Sequence, residues 1–434
     1  DGIRGAASSG TRITFAAGPG RLPWTPVPVP DEFFTLPQGA GVLGEYFDNN
    51  RLAGTPRLVR TDRRIDFRWT LNSPGRGIPF DWYSARWTGT LRVPEGGVRR
   101  IGVEGNDGYR LWIDGALIID NWRKQSYGTT MVDAELTPGT HDLRLEYFES
   151  TGNARLRLVW DHAAPDESGA RITEAVAAAR ASDVVVVVAG VEEGEFRDRA
   201  RLALPGRQPE LIEAVAATGK PVVVVIVGGS AVTMSRWIDR VGAVLMAWYP
   251  GEQGGGAVAR VLFGDVSPSG RLPITFPVEE GQLPLVYNHK PTGRGDDYVD
   301  LTGQPLFPFG FGLSYTTFEY DSLRIDPDSI HPTDTVRVSF VLRNAGTRAG
   351  HEVAQLYIRD VLAQVGRPVQ ELKAFLRVHL QPGESRRVEL PLSAFQAFQF
   401  RDIAGRRAIE NGAIRIMVGA SSRDIRLRGH VELW

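Results

Sequence analysis

The sequence predicts a multidomain α/β plus all-β protein, and three observations carry that reading. At 434 residues the chain is too long for one ordinary domain. Short runs of alternating polarity, separated by turn signals, fill residues 41–160 and again 318–434, the pattern of β-sandwiches. Between them, apolar runs of strand length alternate with helical patterns, which implies a parallel sheet. With 42% hydrophobic and 23% charged residues the chain can build several cores.

The elements follow in order. Residues 1–25 hold a small-residue start and one strand, Arg12–Ala17, and the proline-rich segment Pro23–Leu36 reads as an extended linker. The first sandwich contains Val98–Val103, Tyr109–Ile113 and His141–Phe148, with turns at Asn106-Asp107-Gly108, Asp114-Gly115 and Pro138-Gly139. The α/β part is a helix Ile172–Ala181, a strand Val184–Val188, a helix Gln208–Ala217 and a strand Pro221–Val227. A short helix Met234–Ile238, a strand Ala243–Trp248 and a helix Gly256–Phe263 complete it. Gly281–Tyr315 is loop-rich. The closing all-β segment contains Val336–Leu342, Val353–Ile358, Val388–Leu392 and Ile414–Val418, with turns at Asn344-Ala-Gly346 and Pro382-Gly383.

An α/β domain does not open, give way to a sandwich and resume unless the sandwich is inserted in it. Residues 1–25 and 165–290 are therefore expected to form one domain, incomplete at its start, with its first strand upstream. Residues 38–164 form the insert, 291–317 a linker and 318–434 the second sandwich. The opening DGIRGAASSG lacks both an initiator Met and a signal-peptide pattern, so the chain is expected to begin inside a longer protein.

Composition removes several functions. Fifty basic and 51 acidic residues leave a net charge of −1, which speaks against a nucleic-acid or acidic-membrane partner. No cysteine means no disulfide, thiolate nucleophile or zinc–thiolate site. The seven histidines show no paired ligand spacing, so neither a metal nor another cofactor is expected. The apolar runs around Val184 and Pro221–Val227 are too short to cross a bilayer. Few lysines and many alanines suggest a high-GC bacterium, and a secreted or periplasmic location is favoured over the cytoplasm.

Chemistry concentrates in Asp183–Gly206. Val184–Val188 reads as a strand buried on both faces, and its carboxyl end delivers Glu192, Glu193, Glu195, Asp198 and Arg199. Carboxyl groups beside a dry sheet can be shifted far enough for acid catalysis, and a solvated acidic loop is the alternative. Elsewhere, Asp107-Gly108 and Asp114-Gly115 suit calcium or sugar ligation or plain turn chemistry, the turn being favoured for Asp114. Trp82, Tyr83, Trp112 and Trp122 could stack on a sugar, although Trp112 alternates with Leu111 and Ile113 and could equally be core. Gly228-Gly229-Ser230 and Gly251–Gly256 lack phosphate-loop spacing and read as strand-to-helix turns.

A colinear series of motifs then resembles glycoside hydrolase family 3, the β-glucosidase family, across essentially the whole chain. Glu193-Gly-Glu-Phe-Arg-Asp-Arg199 and Leu204-Pro-Gly-Arg-Gln208 are similar to its acid/base loop. Ala247–Gly255, Leu262–Asp265, Ser269–Pro277, Tyr287–Arg294 and Phe307–Phe318 look like its later landmarks. The tail, with Val353–Tyr357 and Arg367–Leu372, resembles its fibronectin type III-like domain. In the insert, Gly44–Phe47, Gly105–Gly108, Leu111–Gly115 and Asp120–Trp122 look like the sugar-associated domain named after anthrax protective antigen.

The resemblance implies a retaining exo-β-glucosidase using two carboxyl groups about 5–5.5 Å apart. Its acid/base is the Glu of an E-G-x-D-R pattern. Glu195-Phe-Arg-Asp198-Arg199 keeps that spacing with Phe196 in place of Gly, so Glu195 is the implied acid/base, and Glu193, which does precede a Gly, is the alternative. Asp198 and Arg199 are expected to pair and fix the loop. The insert is expected to shape the leaving-group subsite, through Pro74–Tyr83 and within it Asp81, Trp82 and Tyr83. The family's nucleophile is an Asp on a (β/α)8 barrel that this sequence does not contain. The expected partners are therefore a β-glucoside and a barrel from a separate chain or missing segment, and alone this chain should be inactive. A homodimer is left open. A β-xylosidase and a non-catalytic carbohydrate-binding assembly are the alternatives.

Overall fold

The computed structural model describes residues 1–19, 26–70, 72–160, 168–194, 199–291 and 297–434. The chain divides into two compact units: Asp1–Arg21, Thr173–Glu193 and Arg199–Trp434 make one, and Leu22–Ile172 the bulk of the other. Each is described separately.

The inserted unit is a sandwich of two antiparallel sheets. In one, Ala154–Trp160 lies between Gly97–Gly105 and the short Val27–Pro28, with Gly128–Leu136 outside and Asp66–Thr70 also on the Ala154 strand. In the other, Gly139–Glu149 lies between Tyr83–Val93 and Gly108–Ile113, each register running without a break. The period-2 alternation of these strands sends Tyr46, Trp87, Tyr109, Tyr147, Leu156 and Trp160 inward, at 1% exposure or less. A buried carboxylate, Asp62, accepts hydrogen bonds from Tyr46 Oη (2.6 Å), Trp87 Nε1 (2.9 Å) and Arg60 Nε (2.7 Å), so its charge is paired inside the core. The segment before it is not a free linker where it is described: Val29, Phe33 and Phe34 are buried in this core, and Phe34–Leu36 pairs with Tyr83–Val93. Their apolar bulk outweighs the surrounding prolines, which sit where no ladder hydrogen bond is needed.

In the other unit, three parallel strands run in the order Val185–Gly190, Val222–Val227, Ala243–Trp248. The central strand is the driest, with Val222, Val224, Val225 and Ile226 at 1% exposure or less. Helix Ser168–Arg180 precedes the first strand, Gln208–Ala216 connects it to the second, and Gly254–Leu262 follows the third. The expected two-sided burial of Val184–Val188 is corrected. The strand starts one residue later and lies at the sheet edge, where Val187 and Ala189 face inward while Val184 (58%) and Val188 (63%) are exposed.

Two further expectations fail locally. Arg12–Ala17 forms no strand; Phe15 is 77% exposed and the alternating segment pairs with no neighbour among the described residues. Instead Gly2–Ala6 is a short helix packed on Gly254–Leu262. The approach is so close that a Cβ on Gly2 would lie 2.0 Å from the Gly255 carbonyl oxygen. Met234–Ile238 is a turn leading into a 3-10 helix at Ile238–Arg240.

The C-terminal segment is a second sandwich. Phe318–Asp326, Thr335–Asn344 and Ser385–Ser393 face a sheet of Ile425–Leu433, Gly412–Gly419, Gly350–Asp360 and Glu371–Leu380 with the short Ser329–Ile330. It belongs to the same compact unit as the parallel sheet. Arg271 Nη2 meets Glu352 Oε1 at 3.0 Å with both side chains under 9% exposed, and Gln355 Nε2 donates to the Gly310 and Ala420 carbonyls.

Candidate active site

The carboxyl ends of the three parallel strands converge on one side chain, Glu193. It follows the first strand by three residues, while Gly229 and Ser230 follow the second and Tyr249 the third. Glu193 Oε2 accepts hydrogen bonds from the Gly229 amide and from the Tyr249 hydroxyl, each at 2.5 Å. Ser230 Oγ donates to Oε1, and Arg199 Nη2 stands 3.3 Å from the same oxygen. Burial pushes the carboxyl up, but the hydrogen bonds from Ser230, Tyr249 and Gly229 and the Arg199 charge outweigh it and hold it below the ordinary glutamate value. Glu193 is thus a fixed anion.

Local sequence explains the convergence. Gln208, buried at the start of its helix, accepts from the Gly190 amide (2.8 Å) and donates to the Gly190 carbonyl (2.9 Å), pinning the end of the first strand. At Gly229 a Cβ would fall 2.6 Å from the Tyr249 ring and 2.7 Å from Glu193 Oε2, so a side chain there would have to displace both groups. Trp248 adopts φ +52°, and the register with the central strand slips beside it, which turns Tyr249 out of the ladder toward Glu193.

Glu195 and Asp198 lie outside the described residues. Arg199, expected to pair with Asp198, donates to Ser230 Oγ (2.8 Å) and to the Arg201 and Ala203 carbonyls (3.3 Å each) besides Glu193. Glu192 is exposed. Sequence reasoning missed Gly229, Ser230 and Tyr249. Their signal is positional: each lies within three residues of the carboxyl end of a parallel strand, where ligands gather.

In the inserted sandwich, Tyr83 is wholly buried, edge-on to Trp69 (5.9 Å) and Tyr147 (6.1 Å). That corrects its expected substrate contact: Tyr83 begins a core strand and points inward. Trp82, one residue earlier, is 56% exposed at φ +59°, and Phe80 is equally exposed. Asp81 Oδ1 accepts from the Gly152 amide at 3.0 Å. Asp107 is 2% exposed and accepts from the Ser150 amide at 2.6 Å, and Asp114, at φ +50° in its hairpin turn, meets His141 Nδ1 at 2.6 Å. Both aspartates are committed to holding loops. Trp112 is not core: it is half-buried, with the Arg144 and Arg110 guanidiniums 4.7 and 5.4 Å from its ring. Trp122 lies under Arg110 (4.1 Å) and against Phe148 (4.8 Å). Among the described residues no group of three or more His, Asp or Glu could hold a metal ion, and no helix is long and apolar enough to cross a membrane.

The profile of the glycosyl hydrolase family 3 C-terminal domain matches residues 44–315, well over half of the chain. The chain belongs to glycoside hydrolase family 3. A fibronectin type III-like profile matches residues 352–422, within the second sandwich. Among family 3 relatives, a β-xylosidase of Formosa agariphila is 43% identical over 258 residues, covering 58% of this chain and 35% of its own. A β-glucosidase of Rhizobium radiobacter is 34% identical over 427 residues, covering 90% and 51%. The solved family 3 β-glucosidase of Kluyveromyces marxianus in complex with glucose superposes with a TM-score of 0.61 at 26% identity, over 99% of this chain and 53% of that one. The chain spans about a third to a half of the length of these family 3 proteins.

Proposed function

We propose that this chain carries the acid/base side of a retaining exo-β-glucosidase. Glu195 protonates the departing aglycone oxygen and then, as carboxylate, activates the water that releases the sugar. The nucleophile Asp and the glycone pocket come from a (β/α)8 barrel outside this chain. One observation carries the assignment within the loop: the environment of Glu193. A general acid must hold a proton near working pH, and a carboxylate bound to Gly229, Ser230, Tyr249 and Arg199 is stabilised in its charged form. Glu193 then acts as the anchor of the loop, and Glu195, two residues on, is left for the proton. Exposed Trp82 and Phe80 beside Asp81 give the inserted sandwich an aromatic surface suited to a sugar or aglycone. The β-xylosidase among the relatives supports a second reading, in which the glycone is a xyloside.

The test uses the protein that contains the barrel, with p-nitrophenyl and 2,4-dinitrophenyl β-glucosides. Glu195→Gln should lower kcat/KM about 100- to 10,000-fold on the poorer leaving group. The loss should be far smaller on the dinitrophenyl substrate, which needs no acid, and azide should restore turnover. Glu193→Gln should lose less, equally on both substrates and without azide rescue. The opposite pattern would transfer the acid role to Glu193.

A further inference from the structure

A cavity of about 410 Å³ lies where the loops after the parallel sheet meet the C-terminal sandwich. No residue of the Glu193 cluster lines it. Its aromatic wall is Tyr287, stacked on Phe309 with ring centroids 4.2 Å apart and planes within 12°. The Tyr287 hydroxyl accepts from the Leu372 amide at 3.2 Å, which fixes that ring to the second sandwich. Tyr298, 47% exposed, contributes a further ring to the lining.

Four polar groups around this wall have capacity to spare. Asp297 Oδ1 accepts from Thr302 Oγ1 (3.1 Å) and the Gly303 amide (2.8 Å), while Oδ2 has no partner among the described residues. His289 Nδ1 lies 3.1 Å from the Lys290 carbonyl oxygen, leaving Nε2 open. The Tyr298 hydroxyl and the Arg423 guanidinium, both at exposed residues lining the cavity, have no hydrogen-bond or ion-pair partner among the described residues. This set is mixed in charge, which selects the ligand class. An anion drawn by Arg423 meets the Asp297 carboxylate, and a cation drawn by Asp297 meets Arg423. A purely apolar ligand would desolvate these groups without repaying them. A neutral ring bearing adjacent hydroxyls, each both donor and acceptor, can pair with a carboxylate, a guanidinium, an imidazole or a phenol alike. Its C–H face suits an aromatic wall. The volume falls in the range of small-molecule sites, on the order of 300–1,000 Å³.

We propose that this cavity is a saccharide-binding site for a pyranose ring, separate from the Glu193 cluster. It does not depend on the chain's being half of a glycosidase. The test is calorimetric titration and saturation-transfer NMR on the 434-residue chain with methyl β-D-glucopyranoside and cellobiose, with open-chain sorbitol and inorganic phosphate as controls. The pyranosides should bind with millimolar Kd, and sorbitol and phosphate should not compete. Asp297→Asn, which keeps the contacts to Thr302 and Gly303, and Arg423→Ala and Tyr298→Ala, at exposed positions, should each weaken binding about tenfold or more. Trp82→Ala and Glu193→Gln should leave it unchanged. No saturation at tens of millimolar, affinity untouched by all three cavity variants, or stronger competition by phosphate would each overturn the proposal. Loss of binding in Trp82→Ala alone would do so too, placing the sugar on the inserted sandwich.

Discussion

Glu149 ends the strand Gly139–Glu149 of the inserted sandwich with no exposed surface. Tyr147 Oη donates to its Oε2 at 2.6 Å and Asn106 Nδ2 at 3.1 Å, while Oε1 has no partner among the described residues. Burial is the main cause that pushes this carboxyl up to about 7 from its ordinary 4.5. The Tyr147 and Asn106 hydrogen bonds oppose the rise, and the neighbouring Asp107 and Asp81 charges add to it. Tyr83 and Tyr147 face the same group, and Lys124 supplies the nearby positive charge, beside Asp107. Because the folded state holds the proton more tightly than the unfolded chain, the stabilisation is complete below about pH 4.5 and is lost as pH rises through about 7. At about 1.4 kcal/mol per pH unit this amounts to roughly 3 kcal/mol between the two limits. Glu149→Gln keeps the shape and removes the titration. Hydrogen exchange of Tyr83–Val93 and Gly139–Glu149, corrected for intrinsic rates, should show the parent losing protection between about pH 5 and pH 8 and the variant holding it. At the higher pH the variant should be the more stable by up to roughly 3 kcal/mol. Equal protection of the parent at both values, or a variant weaker at the higher pH, would refute this account of the site.

Two further outcomes follow from the packing. Arg271→Met strands Glu352 in a buried site and should cost about 3–5 kcal/mol in guanidinium unfolding of the unit that holds the parallel sheet and the C-terminal sandwich. Arg271→Met combined with Glu352→Gln should recover most of that, and a double variant no better than the single one would mean that the ion pair is not what holds the junction. Trp82→Gly relieves a left-handed backbone at φ +59° and should raise sandwich stability by about 1 kcal/mol in thermal unfolding; an unchanged midpoint would mean that the conformation carries no strain.

Periodicity and turn chemistry determined most of the architecture. Alternation at period 2 with Asp114-Gly115 and Pro138-Gly139 between the runs is enough to specify hairpins of the inserted sandwich, because both signals are local. The valine runs likewise specify parallel strands, and the motif series from Glu193 to Phe318 identifies the family. Tertiary structure decided what depends on neighbours. Five consecutive β-branched residues read as doubly buried, yet only the face with Val187 and Ala189 is covered, and Val184 and Val188 on the other are exposed. Arg12–Ala17 has the composition of a strand and no partner to pair with among the described residues. Pro23–Leu36 reads as a linker, while Phe33 and Phe34 are core because a sheet stands beside them. At the candidate site the acidic loop is legible, but what separates Glu193 from the other carboxylates is not. Its partners come from 36 to 56 residues away in sequence, through Gly229, Ser230 and Tyr249, and only the parallel stacking of three strand ends brings their donors to one carboxylate. A sequence states which groups can ionise; the fold sets which of them stay charged, by deciding what each one faces.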